Sequence, residues 1–382
     1  MSDRPLSVLL VGDYPPDPTL GSAKVFYKLR DEFQALGHRC EVVFGTDIHA
    51  PQSRQLRQLV SPWQAANAIV RHTDRAHYDV VDVASAESLW IGVLKRLGGY
   101  SNVALIARSN GLEHLNYQRM LDDHDAGLGS KGWSRRIWYP LSRLSQVEAA
   151  ARASDRLLVL NENDRRYALE RGWKTDAEID VVPHGVSAQF FENGGAAVPR
   201  GEGLLFCGSW DNVKGVPYVV GAFERLHQRG RQLPLTVLGP GVDPQTVLAA
   251  FSEATRPFVR VVARADELEV IRMYRTHDVL LWLPTYEGFG LVLIEAMSQR
   301  LPVVATPAGC APSVVRDGHT GLLVPPRDPD AAACAVERLV DDAALRRSIG
   351  EAARDAVDGM TWTATARRTL EVYARALAAT RT

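Results

Sequence analysis

Long apolar runs, paired cysteines and excess positive charge are all missing from this sequence of 382 residues. No run approaches the roughly 18 apolar residues of a transmembrane helix, and the first apolar run, Val8 to Val11, is too short for the core of a signal peptide. The cysteines are scattered and form no C-x-x-C pair, so neither a zinc site nor a disulfide framework is indicated. We therefore expect a cytoplasmic protein with reduced thiols.

The charge balance argues against one class of partner. Lys and Arg number 44 against 45 Asp and Glu, which leaves a formal net charge of -1. Because no global positive field exists, we expect no nucleic-acid partner. Apolar residues make up 46% and charged residues 23%, as in folded globular proteins, and the length suits two domains.

Buried-strand patterns alternate with helical patterns along most of the chain. Leu6 to Val11 is apolar except for Ser7 and predicts a buried parallel strand, and the helix that follows opens at Gly21 and Ser22. The same alternation resumes at Leu204 and ends in a helical C-terminal region. Repeated β-α-β units predict an α/β fold with two Rossmann-like domains, each a doubly wound parallel sheet.

A glycine-rich stretch separates the two halves. Residues 192–203 read ENGGAAVPRGEG, which is poor in large apolar side chains and typical of a linker. The predicted organisation is an N-terminal domain of residues 1–187, a linker of residues 188–203 and a C-terminal domain of residues 204–361. Parallel sheets bind ligands at the carboxyl ends of their strands, so two such domains facing each other would form a ligand-binding cleft.

The segment from residue 283 to residue 297, LPTYEGFGLVLIEAM, has the richest functional pattern. A predicted strand ends there, a loop carries Glu287, Gly288 and Gly290, and a helix that follows carries Glu295. Glycine lets backbone N–H groups approach a ligand closely, and a helix N-terminus attracts an anion such as phosphate. Two carboxylates beside such a helix end suit a sugar joined to a nucleotide through a diphosphate.

This segment resembles the E-x7-E motif of the family 4 nucleotide-sugar glycosyltransferases, which are retaining enzymes with the GT-B fold. Further segments match that family in the same order, and the resemblance covers nearly the whole chain. These segments are residues 13–16 (DYPP) with Gly21 and Ser22, residues 37–38 (GH), residues 182–186 (VPHGV), residues 208–215 (GSWDNVKG), residues 301–306 (LPVVAT) with Gly309, and residues 317–324 (DGHTGLLV).

The resemblance implies transfer of a sugar, with retained anomeric configuration, from a nucleotide diphosphate sugar to a hydroxyl of a glycan, a lipid-linked or a small-molecule acceptor. It implies no metal and no other cofactor. The acceptor would bind the N-terminal domain, and a C-terminal helix, residues 362–382, would pack back on that domain. The residues implied at the donor are Gly21, Ser209, Lys214, Glu287, Gly288, Phe289, Gly290, Leu291 and Glu295.

Four residues are implied in catalysis: Glu287, Lys214, His114 and Asn110. Lys214 would pair with the diphosphate, Glu287 would orient the donor sugar, and Glu295 would hold the ribose. The family often has a histidine facing the donor sugar where this chain has Asn110, and His114 is either that polar contact or a helix-entry residue. No side-chain nucleophile is evident, so the leaving phosphate would accept the proton of the acceptor while the protein positions groups and stabilises charge.

Four positions depart from the family pattern. Ser209 stands where the family has an Arg, and Ser22 stands where it has the second glycine of a pair. Cys310 and Arg300 likewise occupy positions where a glycine is expected. The missing Arg removes one phosphate-binding cation, which bears on donor affinity and donor identity.

Two further segments could be read as functional. Residues 123–125 spell D-x-D, which binds a metal in another glycosyltransferase fold, but a solvated loop is the favoured interpretation here. Lys131 to Arg143, KGWSRRIWYPLSR, contains four cations, two Trp, one Tyr and no acid. That mixture suits an anionic acceptor or peripheral contact with the inner face of a membrane, although packing of the aromatic rings on their own domain is the interpretation somewhat favoured.

Other functions stay open at this point. A nicotinamide-dependent dehydrogenase would need G-x-G-x-x-G after the first strand, where the sequence has Gly12-Asp13-Tyr14-Pro15. A phosphorylase or an epimerase on the same fold, and a noncatalytic partner subunit that binds a nucleotide sugar, are the remaining alternatives. The serine at position 209 gives the noncatalytic alternative some support.

Overall fold

A computed structural model describes residues 4–18, 21–48, 53–128, 133–192 and 200–380. The chain divides into two compact units. Unit 1 contains Met1–His184 together with Trp362–Thr382, and unit 2 contains Gly185–Thr361. We expected a linker over residues 188–203, but Ala188–Glu192 forms a short helix of unit 2 because Phe190 is buried there. Residues 193–199 of that expected linker lie outside the described residues.

Unit 1 is built on a six-stranded parallel sheet of order β2-β1-β3-β4-β5-β6. Its strands are β1 (Ser7–Val11), β2 (Arg39–Val43), β3 (Val80–Ala84), β4 (Ala104–Arg108), β5 (Arg156–Val159) and β6 (Ile179–Val181). The helices between them are α1 (Gly21–Ala35), α2 (Gly45–Ile48), α3 (Arg54–Thr73), α4 (Leu89–Arg96), α5 (Glu113–Asp125), α6 (Trp133–Tyr139), α7 (Ser145–Ala153) and α8 (Glu162–Glu170). A π-helical turn, Pro140–Leu144, joins α6 to α7, and 3₁₀ turns span Ser85–Ser88 and Asp176–Glu178.

Unit 2 repeats this plan with a second six-stranded parallel sheet, of order β12-β11-β10-β7-β8-β9. Its strands are β7 (Leu204–Cys207), β8 (Leu235–Leu238), β9 (Val259–Val262), β10 (Val279–Trp282), β11 (Val303–Ala305) and β12 (Leu322–Leu323). Its helices are α9 (Ala188–Glu192), α10 (Val216–Gln228), α11 (Pro244–Leu248), α12 (Glu267–Thr276), α13 (Leu291–Ser298), α14 (Ala311–Val314), α15 (Pro329–Asp341) and α16 (Ala343–Ala356). The 3₁₀ turns of this unit span Asn212–Lys214 and Arg256–Phe258.

The last helix, α17 (Trp362–Thr380), belongs to unit 1. It is hydrogen-bonded to the sheet through polar groups that are fully buried. Asp82 of β3 and Arg108 of β4 form an ion pair with both side chains fully buried, and the Tyr373 hydroxyl of α17 donates to Asp82 at 2.5 Å. A buried ion pair needs further hydrogen bonds to offset the loss of hydration, and here the helix supplies one of them.

Arg300 explains one departure from the glycine pattern. It follows the C-terminus of α13 with a φ of 58°, the left-handed conformation in which glycine is unstrained. Its side chain pairs with Glu351 of α16 at 2.6 Å. The chain therefore keeps the expected backbone turn with a non-glycine residue.

Within the described residues, none of the helices combines the length and the apolar character that crossing a bilayer requires.

Candidate functional site

The loops that follow β7 and β10 leave the sheet of unit 2 at the same edge. The two strands are parallel neighbours, with Leu204 opposite Val279, so their carboxyl ends lie side by side. The backbone N–H of Thr285 donates to the carbonyl of Val213 at 3.0 Å, which ties one loop to the other. This edge is where a parallel sheet binds its ligands.

The first loop is a polar turn ordered by Asp211. The Asp211 carboxylate accepts from the Ser209 hydroxyl at 2.7 Å and from the backbone N–H of Lys214 at 3.2 Å. Gly215 follows with a φ of 77°, and a Cβ there would lie 1.8 Å from the carbonyl oxygen of Leu283. Glycine at position 215 therefore lets the turn lie directly against the end of β10, and Ser209 helps to order the loop.

Lys214 and Glu287, the two residues predicted for the diphosphate and the donor sugar, contact each other directly. The Lys214 ammonium donates to a carboxylate oxygen of Glu287 at 2.5 Å, and both side chains are partly exposed. An ammonium has three N–H bonds, so Lys214 can hold Glu287 and also donate to a phosphate oxygen. The pair joins a cation and a carboxylate at the open edge of the sheet.

Helix α13 begins immediately beside this pair. Gly290 caps the helix with a φ of 103°, and a Cβ there would lie 2.7 Å from the ring of Trp282. The carbonyl of Phe289 accepts from the backbone N–H of Cys310 at 2.7 Å. Gly288, Phe289 and Gly290 are buried, and Leu291 is the first helical residue. The loop is thus fixed on two sides beside the N-terminus of α13, and a helix N-terminus offers unpaired N–H groups that can bind an anion.

Glu295 lies one turn into α13 and is almost buried, at 8% exposure. The hydroxyl of Tyr274, on α12, lies 3.3 Å from a Glu295 carboxylate oxygen and 3.5 Å from the Cys207 sulfur. Burial, together with Cys207 and Glu295, raises the pKa of Tyr274 well above its usual value, so the phenol stays protonated and acts as the donor. Tyr274 thereby positions the Glu295 carboxylate, a contact that the sequence pattern did not predict.

In unit 1 the candidate residues lie after β1 and β4. Asn110 donates from its side-chain nitrogen to the Tyr14 hydroxyl at 2.8 Å. His114 is the second residue of α5, and its ring centroid lies 4.7 Å from that of Trp173. Burial lowers the pKa of His114 to about 4, so the ring is neutral at pH 7. This placement favours the helix-entry alternative for His114, while Gly21 is the exposed first residue of α1.

A polar cavity of about 290 Å³ opens at the carboxyl ends of β1 and β3, entirely within unit 1. Its charged lining consists of Asp13, Arg57, Glu87, Glu113 and Arg143. Asp13 follows β1, Glu87 follows β3 and Glu113 follows β4, and these three strands are neighbours in the sheet. The sequence did not predict this cluster, because its members come from separate parts of the chain. Asp13 and Arg143 were considered only as parts of longer segments.

Comparisons with known proteins agree with this architecture. A family model described as "Glycosyltransferase Family 4" matches residues 20–190, and one described as "Glycosyl transferases group 1" matches residues 195–356. This chain belongs to the family 4 glycosyltransferases. The fold of two Rossmann-like units expected for GT-B proteins is confirmed.

Two curated relatives of this glycosyltransferase-family chain are D-inositol 3-phosphate glycosyltransferases. The one from Kineococcus radiotolerans is 32% identical over 265 residues, which cover 62% of this chain and 61% of the relative. The one from Streptomyces bingchenggensis is 31% identical over 262 residues, which cover 62% of this chain and 56% of the relative. The chain therefore spans about three fifths of the length of the curated relatives it matches.

Solved structures of the same fold match almost the whole chain. Sucrose-phosphate synthase from Thermosynechococcus elongatus has a TM-score of 0.78 at 22% identity, and the match covers 98% of this chain and 100% of that one. Anabaena HepE in complex with UDP-glucose has a TM-score of 0.66 at 14% identity, with 97% and 100% covered. At these identities the likeness establishes the fold.

The D-x-D tripeptide of this family 4 chain is not the solvated loop that we expected. Residues 123–125 form the last turn of α5. Asp123 is buried and accepts from Arg119 at 2.5 Å, because an i, i+4 pair on one helix face brings the two side chains together. In the part of the chain that the structure describes, no group of three or more His, Cys, Asp or Glu side chains is arranged to hold a metal ion.

The cationic segment, residues 131–143, carries less uncompensated positive charge than its sequence alone indicates. Residues 129–132 lie outside the described residues, and the described part is α6 followed by the π-helical turn. Arg143 points into the polar cavity, where it pairs with Glu87 and Glu113, and Arg136 lies 3.4 Å from Asp125. Acids from other segments thus compensate two of the four cations, while Ile137, Trp138 and Leu141 are exposed.

Proposed function

We propose that this protein transfers a sugar from a nucleotide diphosphate sugar to a hydroxyl acceptor and retains the anomeric configuration. The observation that carries the proposal is the Lys214–Glu287 pair beside the N-terminus of α13, at the carboxyl edge of the unit 2 sheet. Membership in the family and the UDP-glucose bound by Anabaena HepE support a nucleotide sugar as the donor.

Each group at this edge has a role in the proposed reaction. The bond between the anomeric carbon and the diphosphate breaks, and negative charge develops on the leaving phosphate, where the Lys214 ammonium and the N–H groups of α13 stabilise it. Glu287 holds the ammonium in place and orients the donor sugar. Glu295, positioned by Tyr274, accepts hydrogen bonds from the ribose hydroxyls. The acceptor oxygen forms the new bond on the same face of the sugar, and its proton goes to the leaving phosphate.

A panel of nucleotide sugars, assayed for nucleotide release with and without polyol acceptors, tests the proposal. We expect one donor to release its nucleotide diphosphate faster when an acceptor is present. Release of sugar 1-phosphate would indicate a phosphorylase, and a changed sugar on the intact donor would indicate an epimerase. Binding without any turnover would indicate a noncatalytic subunit.

We predict that activity survives EDTA. The diphosphate charge in this proposal is met by Lys214 and by a helix N-terminus, so a divalent cation has no assigned role. Nucleotide release should be the same in chelator and in added manganese or magnesium. Loss of release in chelator, with recovery when either metal is restored, would overturn the metal-independent mechanism.

Glu295→Gln is expected to weaken donor binding more than it slows turnover. The variant keeps the shape and the Tyr274 contact but removes the charge that accepts from the ribose, and a hydrogen bond to a charged group contributes roughly 1.5–3 kcal/mol. We expect KM for the donor to rise by about tenfold or more, with kcat changed far less.

The matched control for that prediction is Glu269→Gln, an exposed glutamate on α12. It should leave both constants unchanged. A loss confined to kcat in Glu295→Gln would place this carboxylate at the reacting carbon and not at the ribose.

We also propose that α6 and the turn after it touch a membrane surface or a lipid-linked acceptor. Ile137, Trp138 and Leu141 are 48%, 46% and 72% exposed, and amphipathic aromatic side chains suit the membrane interface. Because Arg136 and Arg143 are paired within unit 1, the apolar side chains carry most of this contact.

The double variant Trp138→Ala, Leu141→Ala should therefore co-sediment with vesicles of mixed neutral and anionic phospholipid at least several-fold less than the parent protein. The control is Leu268→Ala, an equally exposed apolar residue of unit 2. Raising the salt should weaken binding only modestly. Equal sedimentation of the double variant and the parent would refute the membrane contact.

A further inference from the structure

The charges that line the unit 1 cavity are already paired with one another. Arg143 donates to Glu87 at 2.7 Å from one terminal nitrogen and to Glu113 at 3.0 Å from Nε, and its other terminal nitrogen lies 3.2 Å and 3.0 Å from oxygens of the same two carboxylates. Arg57 donates to Asp13 at 2.9 Å and 2.5 Å. Three carboxylates face two guanidinium groups, so the charged lining carries one net negative charge.

Three hydroxyl groups of the cavity donate to the same carboxylates. Ser85 donates to Glu113 at 2.6 Å, Tyr139 donates to Glu113 at 3.2 Å, and Ser61 donates to Glu87 at 2.9 Å. A hydroxyl has a single hydrogen, so each of these groups can only accept from a ligand. These three hydroxyls and the carboxylate oxygens therefore present acceptors to a ligand, beside the Tyr14 hydroxyl, which accepts from Asn110 and keeps its own hydrogen.

The Glu113 carboxylate stays ionised in this setting. Burial alone would raise the pKa of Glu113, but the Arg143 guanidinium and the hydroxyls of Ser85 and Tyr139 outweigh it and hold that pKa below the usual value. A phosphate monoester, which offers acceptors and negative charge, would meet the carboxylate oxygens and the net negative charge of this lining. A polyol brings hydroxyl hydrogens that match these acceptors.

From this arrangement we infer that the cavity binds the acceptor through a hydroxyl-bearing moiety without negative charge, such as a free sugar or cyclitol, and excludes its phosphate ester. The inference rests on the proposed function, since it names the acceptor class of that reaction. The inferred acceptor, which has no phosphate, differs from the inositol phosphate specified in the names of the two curated relatives.

The test uses matched pairs of probes on the full chain: myo-inositol with inositol 3-phosphate, and glucose with glucose 6-phosphate. Nucleotide release from the donor found in the panel is measured with each probe, and binding of each probe is followed by ligand-observed NMR. The neutral member of at least one pair should bind and stimulate release at a concentration at least tenfold lower than its phosphate ester.

Variants tie the preference to the cavity. Glu113→Gln removes one negative charge and should reduce the preference for the neutral probe over its phosphate ester by several-fold. Glu148→Gln, which alters an exposed ion pair with Arg152 outside the cavity, should leave that preference unchanged. Tyr139→Phe removes an acceptor without changing the charge, and should weaken binding of the neutral probe even if Glu113→Gln fails to fold.

Preference for the phosphorylated member of the pairs, or binding of neither neutral probe by a protein that turns over its donor, would overturn the inference and leave the proposed function standing. Absence of donor turnover with every nucleotide sugar would instead count against the proposed function. Stimulation by a neutral probe that Tyr139→Phe and Glu113→Gln leave unchanged would also overturn the inference, because the probe would then bind elsewhere.

Discussion

Lys214→Ala is expected to slow sugar transfer by about two to three orders of magnitude. Loss of one preorganised group that stabilises developing charge typically costs about 2.7–4 kcal/mol in the transition state. Lys214 is the only lysine between residues 185 and 361, and Ser209 stands where the family has an arginine, so no second cation in that loop compensates. The rate of nucleotide release with saturating donor and acceptor measures the effect.

Two further variants separate charge from shape at this pair. Lys214→Arg keeps the positive charge and should recover part of the lost rate, although its planar fork has a different geometry. Glu287→Gln keeps the size and the fold, leaves Lys214 without its ionic partner and should lower mainly kcat. Folded Lys214→Ala protein with a near-normal rate would show that the diphosphate binds elsewhere.

Asp82→Asn is expected to destabilise unit 1 by about 3–5 kcal/mol, because removing one member of a buried ion pair leaves the other charge uncompensated. Asp82 accepts from Arg108 at 3.0 Å and from Tyr373 at 2.5 Å, and both ion-paired side chains are fully buried. Hydrogen exchange of peptides from β3, β4 and α17 reports on unit 1 separately from unit 2. Exchange in these peptides should accelerate by more than two orders of magnitude.

An exposed pair provides the control. Asp31→Asn breaks a surface contact with Arg30 and should change stability by less than about 1 kcal/mol. The double replacement Asp82→Leu, Arg108→Met removes both charges and should recover much of the stability. Unchanged exchange in Asp82→Asn would mean that the contacts of Asp82 contribute little to holding α17 on the sheet.

The order of strands and helices could be predicted from the sequence because both sheets are parallel and buried on both faces. Continuous apolar runs such as Val8 to Val11 and Val279 to Leu283 then mark the central strands, and turn residues mark their ends. The family resemblance implied that Lys214 and Glu287 both meet the donor, and in the structure the two side chains contact each other. This contact is realised because β7 and β10 are neighbours in the sheet.

The partners of individual side chains were harder to predict from the sequence, because they depend on which strands become neighbours in the sheet. Glu87, Glu113 and Arg143 meet in one cavity although 56 residues separate Glu87 from Arg143. The sequence placed Arg143 in a cationic surface segment, because the glutamates that pair with it belong to other segments of the chain. The one signal for a buried charge was Asp82 within the apolar strand VVDVA, which required a cationic partner such as Arg108.

The most direct test of the proposed reaction is proton NMR of the first product formed from an α-linked nucleotide sugar, recorded before any free sugar can mutarotate. The spectrum reports both whether the sugar is transferred and which configuration its anomeric carbon keeps. We predict an α-linked product that appears together with the nucleotide diphosphate and forms about two to three orders of magnitude more slowly with Lys214→Ala. A β-linked product, or the same α-linked product at an equal rate from Lys214→Ala, would contradict this prediction.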